Sequence, residues 1–303
     1  MMVLLFIVIT LAVAEIFIRS AILVLMSRLL ICCQQDLPSV NMNACLRAQD
    51  GWEELGSDGN GSYCVRGNDV IMTIQDKHIT HEDIDLHAEA FGVKVDEVVF
   101  MSKHSAASGI PTLTVHPIGN FKEAEFGGRS NTLVNSAPAS MSNALRKISK
   151  YNDTDVYKVS FEVTHHGPYL EKPTWFIEIG SDESHWGDVH AAEILSKVIC
   201  DNEPDKDYVV AIGVGGGHYA PRFTEMVMGY RISIGHMVPG YQTEGMDDDT
   251  VITYLKAASE ATENTKCVYM HKKAYKRPEE KRITGLIESL GMEILSSKDL
   301  EPL

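Results

Sequence analysis

The chain has 303 residues and a formal net charge of −15, with 44% hydrophobic and 23% charged residues. This length and apolar content allow one large α/β domain or two smaller ones, each with a sizeable core. The acidic balance repels polyphosphates at long range, so contact with nucleic acid would require a local basic patch. The six cysteines include no C-x-x-C pair, which argues against a disulfide framework and indicates the reduced thiols of an intracellular protein.

Residues 1–25 form an apolar extension that we expect to lie outside the fold. Glu15 and Arg19 interrupt it, and a membrane-spanning helix needs ~20 largely apolar residues. A secretory signal would begin with a basic region, which is missing, although Ala-Val-Ala at 12–14 resembles a cleavage site. A membrane anchor, an organelle-targeting segment and an incorrect upstream start all stay open. The domain itself is expected at 26–303, in the cytoplasm.

From Met26 onward, apolar runs of strand length alternate with helical patterns. The strands predicted from length and β-branched content are 29–33, 70–74, 95–101, 113–116, 156–163, 174–179, 208–212, 231–234 and 267–270. The predicted helices are 138–150, 184–198, 248–261 and 278–290. The polar, glycine-rich insert 56–68 is expected to be a surface excursion. This alternation predicts an α/β fold, a single compact domain with a mostly parallel mixed sheet covered by helices.

Two segments combine a predicted strand with a glycine-containing turn that carries histidine: 161–168 and 213–222. Glycine lets the N–H groups of such a turn converge on an anion without steric cost, so the amides of Gly215, Gly216 and Gly217 are candidate oxyanion donors. No G-x-S-x-G elbow exists, which argues against a serine hydrolase. The third glycine of the dinucleotide fingerprint is also missing, which argues against a nicotinamide or flavin cofactor.

Six histidines are predicted at or just past the carboxyl ends of strands. They are His104, His116, His165, His166, His218 and His236. Ligands bind at that edge of open α/β sheets, so we expect a shared site, although a single histidine of this kind is more often structural. Glu162 lies between the apolar residues Phe161 and Val163 and should face the opposite side of the sheet. It is either a site carboxylate or a salt-bridged residue of the sheet face.

A basic run and one arginine could bind an anionic substrate. The basic residues of the run are Lys272, Lys273, Lys276 and Arg277. They indicate either a nucleic-acid contact or a solvated loop and helix start. Arg222, one turn into the helix that follows the glycines, could clamp a phosphate or carboxylate, or it could pair with Glu225.

From about Met26 to its end, the sequence resembles the D-aminoacyl-tRNA deacylases of the archaeal and plant type. The segments that carry the resemblance are 102–104, 113–120, 164–168, 177–181, 215–223 and 235–239. Several such segments in the family's order are far more specific than any one of them. Two positions depart from the family's pattern: 36–39 reads Asp-Leu-Pro-Ser in place of an Asp-Pro-Ala-Ser type string, and Lys103 stands where arginine is usual.

The resemblance implies hydrolysis of the ester that joins a D-amino acid to the terminal ribose of tRNA, a step of chiral proofreading. It implies zinc as the cofactor and D-aminoacyl-tRNA as the partner. No stable protein partner is implied, and we expect a monomer. It also implies a fold similar to those of peptidyl-tRNA hydrolases and nucleoside phosphorylases. Two alternatives are a non-catalytic tRNA- or nucleotide-binding module on the same scaffold and, by fold analogy only, a nucleoside phosphorylase-like transferase.

The candidate residues then take the following roles. The expected catalytic groups are Glu162, His166, His218 and the amides of Gly215, Gly216 and Gly217. The expected zinc ligands are His104, His116 and His165, with His166 beside them as a supporting partner. The expected substrate-binding residues are Arg222, Glu178, Lys272, Lys273, Lys276 and Arg277, and either Glu162 or Glu178 would hold the substrate ammonium.

Overall fold

The computed structural model describes residues 27–303, so the apolar extension 1–25 lies outside the described residues. The strands are β1 Ser27–Cys33, β2 Glu53–Ser57, β3 Ser62–Arg66, β4 Asp69–Ile74, β5 Val95–Lys103, β6 Thr112–Pro117, β7 Gly119–Asn120, β8 Thr132–Leu133, β9 Lys158–Phe161, β10 Thr174–Gly180, β11 Val209–Val214, β12 Ile232–Val238, β13 Cys267–Met270 and β14 Glu293–Leu295. The helices are α1 Leu37–Arg47, α2 Ile84–Phe91, α3 Pro138–Tyr151, α4 Glu183–Trp186, α5 Val189–Cys200, α6 Pro221–Gly229, α7 Gly240–Thr243, α8 Asp248–Glu260 and α9 Arg277–Ser289.

The strands form one large mixed sheet, one smaller parallel sheet and one two-stranded sheet within an α/β domain, which confirms the predicted fold class. The large sheet has the order β2-β3-β4-β1-β5-β10-β6-β9, the second has the order β12-β11-β13-β14, and β7 pairs with β8. Seven strand pairs are parallel and four are antiparallel. Within residues 27–303, none of the helices combines the length and the apolar character that a bilayer crossing requires.

Helix α3 joins the two sheets into one core. Its buried residues Met141, Leu145 and Ile148 belong to a cluster that contains side chains of both sheets. The Ser142 hydroxyl accepts a hydrogen bond from the Ile234 amide of β12 at 2.9 Å. The Arg146 guanidinium donates to the Val227 and Ile232 carbonyls at 2.8 and 2.6 Å. Because buried polar groups are stable only when paired, these bonds orient the second sheet on the first.

Two local predictions require correction. The predicted helix 184–198 is two helices, because the Asp188 carboxylate accepts from the His190 and Ala191 amides at 2.9 and 3.2 Å and starts α5 there. The insert 56–68 is part of the β2–β3 hairpin, whose β3 buries Tyr63, Cys64 and Val65. Gly59 and Gly61 form the turn, and the glycines of this insert obscured a strand that contributes to the core.

Strand direction changes between β10 and β6 in the large sheet. β1, β4, β5 and β10 are mutually parallel neighbours, but β6 runs antiparallel to β10, and β9 runs parallel to β6. The carboxyl ends of β6 and β9 therefore lie at the opposite edge from those of β5 and β10. Histidines that follow these strands cannot meet at one edge, and they must meet over a face of the sheet.

Two glycines provide a matched test of backbone constraint. Gly119 has φ +143°, and a Cβ placed on it would lie 2.6 Å from Leu133 Cα, a backbone atom. We expect Gly119→Ala to lower the free energy of unfolding by about 1–3 kcal/mol. Gly285, in α9, has open space around its Cβ position, so Gly285→Ala should raise stability by about 0.4–1 kcal/mol. Urea unfolding of both variants measures this, and equal shifts would contradict the crowding at Gly119.

Candidate active site

One face of the large sheet changes from apolar to polar along β5 and β10. Phe100 and Phe176 stack at 4.6 Å between ring centroids and form part of the core on that face. Two residues further along the same face, Ser102 of β5 lies opposite Glu178 of β10, because alternate residues of a strand share a face. His104, the next residue of that parity, follows the end of β5. These side chains form one wall of the site.

The second wall comes from β6 and from the chain just after β9. His116 lies opposite Phe176 in the antiparallel β6–β10 pair, and its ring stacks on Phe176 at 5.0 Å. The Glu162 amide donates to the Val115 carbonyl, which continues the β9 pairing by one residue. Phe161 points into the core, so Glu162 points to the polar face. The predicted orientation of Glu162 is confirmed.

The glycine loop brings His218 over this face. Gly215 and Gly216 have φ angles of +97° and +89°, which L side chains rarely adopt, and they turn the chain back after β11. The returning segment pairs antiparallel with the residues after β9. The Val163 amide donates to the His218 carbonyl at 3.0 Å, and the Ala220 amide donates to the Phe161 carbonyl at 3.1 Å. These two bonds set the height of His218 above the sheet.

Two buried carboxylates lie at the centre of the cluster. Glu162 is 0% and Glu178 is 2% exposed. The Glu162 oxygens lie 2.8 Å from His218 Nε2, 3.1 Å from His104 Nδ1 and 3.5 Å from His165 Nε2. Glu178 Oε2 lies 3.6 Å from His104 Nδ1 and 3.5 Å from His116 Nε2. His104 therefore stands between both carboxylates, and Tyr219 contacts its Nε2 at 2.9 Å.

The charges of this cluster stabilise one another. Burial lowers the pKa of His104, but contacts with Glu162 and Glu178 outweigh it and raise the pKa to about 11. Burial raises the pKa of Glu162, yet His104 and His218 hold it well below the ordinary value. Burial likewise raises the pKa of Glu178, and His116 and His104 lower it to about 2. The cluster thus has two ionised carboxylates and a charged His104 at neutral pH.

The adjacent pair His165 and His166 stays neutral. Burial lowers the pKa of His166 to about 4, with a further contribution from His116. Burial and then His116 hold the pKa of His165 well below its usual range. His165 Nδ1 donates to the Val163 carbonyl at 2.7 Å, so its Nε2 carries the lone pair that faces Glu162. Nδ1 of His166 is buried without a hydrogen bond, which leaves it able to accept a proton from a ligand.

His236 belongs to the scaffold and not to the cluster. Its Nε2 donates to the Val134 carbonyl at 2.8 Å. Its Nδ1 therefore accepts from the Thr164 hydroxyl at 3.0 Å, while that hydroxyl accepts from the Met237 amide at 2.9 Å. Burial lowers the pKa of His236 to about 4. The expectation that all six strand-end histidines share a site is therefore wrong for His236, which ties β12 to the chain after β9.

A cavity of about 380 Å³ opens onto the cluster; we call it the histidine cavity. Its lining includes His104, His165, His166, Glu178, His218, Cys33, Asp36, His78, Ile79 and Lys103. Asp36 and His78 were not predicted as site residues. Asp36 caps α1 by accepting from the Ser39 amide at 3.1 Å, and it accepts from the Lys103 amide at 3.2 Å. The segment 36–39, noted as a departure, thus keeps a capping function at the cavity wall.

Other predicted site residues lie beside the cluster. The Gly215 amide donates to the Val238 carbonyl at 2.8 Å, so Gly216 and Gly217 are the glycines whose amides stay available to an oxyanion. Arg222 donates to Glu225 at 2.6 Å and to the Tyr269 hydroxyl at 2.7 Å, as its alternative interpretation predicted. The basic residues Lys272, Lys273, Lys276 and Arg277 are all exposed, and none of them forms an ion pair with another described residue.

One group of side chains among residues 27–303 has the geometry to share a metal ion. It consists of His104, Glu162 and His218, whose candidate ligand atoms all lie within 4.8 Å of one another. Two imidazoles and one carboxylate are a donor set that catalytic zinc sites use. Both Glu162 oxygens lack a hydrogen bond of good geometry despite their burial, so the residues fit a cation. Two of the three predicted ligands, His116 and His165, lie outside this group.

Comparison with known proteins identifies the family to which this chain belongs. The family described as D-aminoacyl-tRNA deacylase matches residues 91–295. The chain is 34% identical to the D-aminoacyl-tRNA deacylase of Pyrococcus abyssi over 86% of this chain and 96% of that protein. It is 39% identical to that of Picrophilus torridus over 64% of this chain and 71% of that protein. The chain belongs to the D-aminoacyl-tRNA deacylase family. A crystal structure of a conserved protein of unknown function, AF0625, superimposes with a TM-score of 0.82 at 28% identity, covering 92% of this chain and 99% of that one.

The resemblance read from the sequence is therefore confirmed, and its segments map onto the site of this deacylase family member. Five of the six segments each contribute a cluster residue; in chain order these are His104, His116, the pair His165 and His166, Glu178 and His218. The sixth segment contributes His236, which lies outside the cluster and bonds to Thr164, next to His165. Sequence similarity and spatial proximity thus identify the same part of the molecule.

The buried His236 provides a pH test of this scaffold. A histidine with a pKa of about 4 in the folded chain and 6.5 when unfolded stabilises the fold fully above pH 6.5. That stabilisation is lost as the pH falls through 4. We expect His236→Gln to lower the free energy of unfolding at pH 7 by about 1–3 kcal/mol. The deficit should shrink by about 2 kcal/mol at pH 4.5, because glutamine does not titrate. Urea unfolding at both pH values measures the difference, and a constant deficit would mean that folded His236 takes up protons normally.

Proposed function

We propose that this chain hydrolyses the ester bond of D-aminoacyl-tRNA and releases a free D-amino acid and tRNA, as the names of its relatives describe. The observation that carries the proposal is the cluster of two buried carboxylates and five imidazoles onto which the histidine cavity opens. A module that only bound tRNA would not require two buried, ionised carboxylates over a sheet face. Burial of a charge is costly, and such sites are typical of catalysis.

Glu178 is the carboxylate that would hold the α-ammonium of the amino acid. It lines the histidine cavity, whereas Glu162 is enclosed by His104, His165 and His218. The contacts of Glu178 with imidazole are also longer, at 3.5 and 3.6 Å, so it has capacity for a further cation. Anchoring the ammonium here and the carbonyl at the glycine loop fixes two points of the substrate. The side chain of one enantiomer then meets the cavity wall, which supplies selectivity by exclusion.

The remaining groups provide proton transfer and charge stabilisation. Neutral His166, with its unpaired Nδ1 and its place on the cavity wall, would take a proton from the attacking water. The amides of Gly216 and Gly217 would donate to the carbonyl oxygen as its negative charge develops. His218 is held by Glu162 at 2.8 Å beside those amides. In a metal-free enzyme, protonated His218 would donate its proton to the leaving ribose oxygen and then regain one from solvent, while His166 releases the proton taken from water.

Zinc is part of the proposal because the donor set fits it. His104, Glu162 and His218 would hold the ion. Bound there, zinc would polarise the ester carbonyl and lower the pKa of water to about 7. The two ionised carboxylates favour such a cation electrostatically, and the charged His104 would lose its proton to solvent when it binds the ion. His218 would then serve as a ligand instead of a proton donor. The zinc content of a His218 variant distinguishes these two roles.

The proposed activity is tested with purified protein and a pair of substrates that differ only in chirality. We expect D-tyrosyl-tRNA to be deacylated faster than L-tyrosyl-tRNA by on the order of 100-fold, the discrimination that one steric mismatch can supply. Acid-gel separation of charged and uncharged tRNA gives both rates. Glu178→Gln, which keeps the side chain's shape and removes its charge, should raise KM for the D-substrate. Equal rates for the two enantiomers would leave an esterase without a proofreading role.

Zinc content separates the two sets of ligands. If His104, Glu162 and His218 hold the ion, His218→Ala should lose the approximately one equivalent of zinc per chain expected for a catalytic site, while His116→Ala should retain it. The set predicted from the sequence, which includes His116 and His165, requires the reverse. Elemental analysis of the purified variants measures stoichiometry independently of activity, and circular dichroism confirms that each variant is folded.

A further inference from the structure

A second cavity, of about 540 Å³, lies on the other side of the glycine loop. We call it the loop cavity, and its walls include Gly216, Gly217, Tyr241, His271, Tyr275 and Lys276. The residue after Gly217 is His218, which lines the histidine cavity. The two cavities therefore meet at the loop whose amides are the candidate oxyanion donors. A ligand whose scissile bond lies at this loop has one part in each cavity.

Resting on the proposed function, we infer that the loop cavity binds the terminal adenosine of the tRNA, with its base stacked on Tyr241. The ester links an amino acid to the ribose of that nucleoside, so the nucleoside must lie within one sugar ring of the carbonyl. With the ammonium at Glu178, the amino acid occupies the histidine cavity. The loop cavity is the neighbouring space, and its volume lies within the ~300–1,000 Å³ range of small-molecule sites.

The aromatic residues of the loop cavity have different surroundings. Tyr275 packs closely against the glycine loop, since a Cβ placed on Gly215 would lie 2.8 Å from its Cε2. Tyr241 stands on α7, and the preceding amide, that of Gly240, donates to the Gly216 carbonyl at 2.9 Å. The residue is nevertheless 46% exposed. An exposed aromatic residue whose backbone is tied to the glycine loop is suited to base stacking, which is tolerant of sequence.

The charge around the loop cavity suits an incoming phosphate chain. Lys276 lines the cavity and belongs to the exposed basic run with Lys272, Lys273 and Arg277. Glu279, also on the wall, is paired with Arg282 at 2.7 Å. Among the described residues, no carboxylate forms an ion pair with Lys276, so its ammonium is available to the phosphate of the nucleotide. Glu244, the second carboxylate of the wall, can accept a hydrogen bond from a ribose hydroxyl or an exocyclic amine.

A second exposed aromatic residue, Phe126, lies near the histidine cavity and offers a matched control. Phe126 is 59% exposed, and its ring lies 6.5 Å from that of His166. Its segment, residues 121–129, holds two acidic and two basic residues, so it lacks the excess of positive charge that attracts a phosphate chain. Tyr241 and Phe126 are therefore both exposed aromatic residues near the proposed site. Of the two, Tyr241 shares its cavity with Lys276 of the basic run.

The test uses the full chain with Tyr241→Ala, Tyr241→Phe and Phe126→Ala. Binding of AMP, measured by calorimetry, should weaken roughly tenfold or more in Tyr241→Ala, the loss expected for one stacked base. It should be retained in Tyr241→Phe, which keeps the ring. The ratio of kcat/KM for D-tyrosyl-tRNA to that for D-tyrosine methyl ester, which has no nucleoside, should fall by a similar factor in Tyr241→Ala alone.

The outcomes separate this inference from the proposed function. If no D-aminoacyl-tRNA is cleaved by the unmodified chain, the proposed function fails, while AMP binding still decides whether the loop cavity takes a nucleotide. If cleavage occurs but Tyr241→Ala changes neither AMP binding nor the ratio, the nucleoside lies elsewhere and the inference is overturned. A selective loss in Phe126→Ala would place the base near Phe126 and overturn it equally.

Discussion

The buried carboxylates of Glu162 and Glu178 impose the constraint on which the rest of the site depends. An ionised carboxylate removed from water is strongly unfavourable unless positive charge or hydrogen-bond donors lie beside it. Here imidazoles provide both, and His104 bridges the two carboxylates with contacts of 3.1 and 3.6 Å. Removal of His104 alone would leave two negative charges facing each other without a cation between them. The histidines are therefore held at their positions by the energetics of the fold as well as by any chemistry they perform.

The reversal of strand direction at β6 explains how so many histidines reach these carboxylates. A fully parallel sheet would collect side chains at a single edge, as the general rule for open α/β folds describes. Because β6 and β9 run against β10, His116 and Glu162 approach from the edge opposite to that of His104. The two groups meet over the sheet face, which is better shielded from water than an edge. Shielding strengthens each charge contact and lets a few residues shift the pKa values strongly.

Local pattern predicted a large part of this arrangement. The alternation of Phe161, Glu162 and Val163 predicted which face the carboxylate takes, and the glycines after β11 predicted a turn that carries His218. The same information could not separate His236 from the other histidines, because its partners Val134 and Thr164 are distant in sequence. The division into two sheets and the direction of β6 depend on long-range pairing, which no window of residues contains. The place of Asp36 at the cavity could not be predicted, because it follows from the tertiary packing of α1.

The difference in enclosure between the two carboxylates suggests how one cluster can serve two cations. Glu162 contacts three imidazoles and does not line the histidine cavity, so its charge faces the candidate ligands His104 and His218 and not the cavity. Glu178 has longer contacts and reaches the cavity wall, so part of its charge is available to a ligand. A metal ion at Glu162 and an ammonium at Glu178 would each be attracted without competing for the same oxygens. They would still repel each other at short range, and His104, which can give up its proton, is placed to relieve that repulsion.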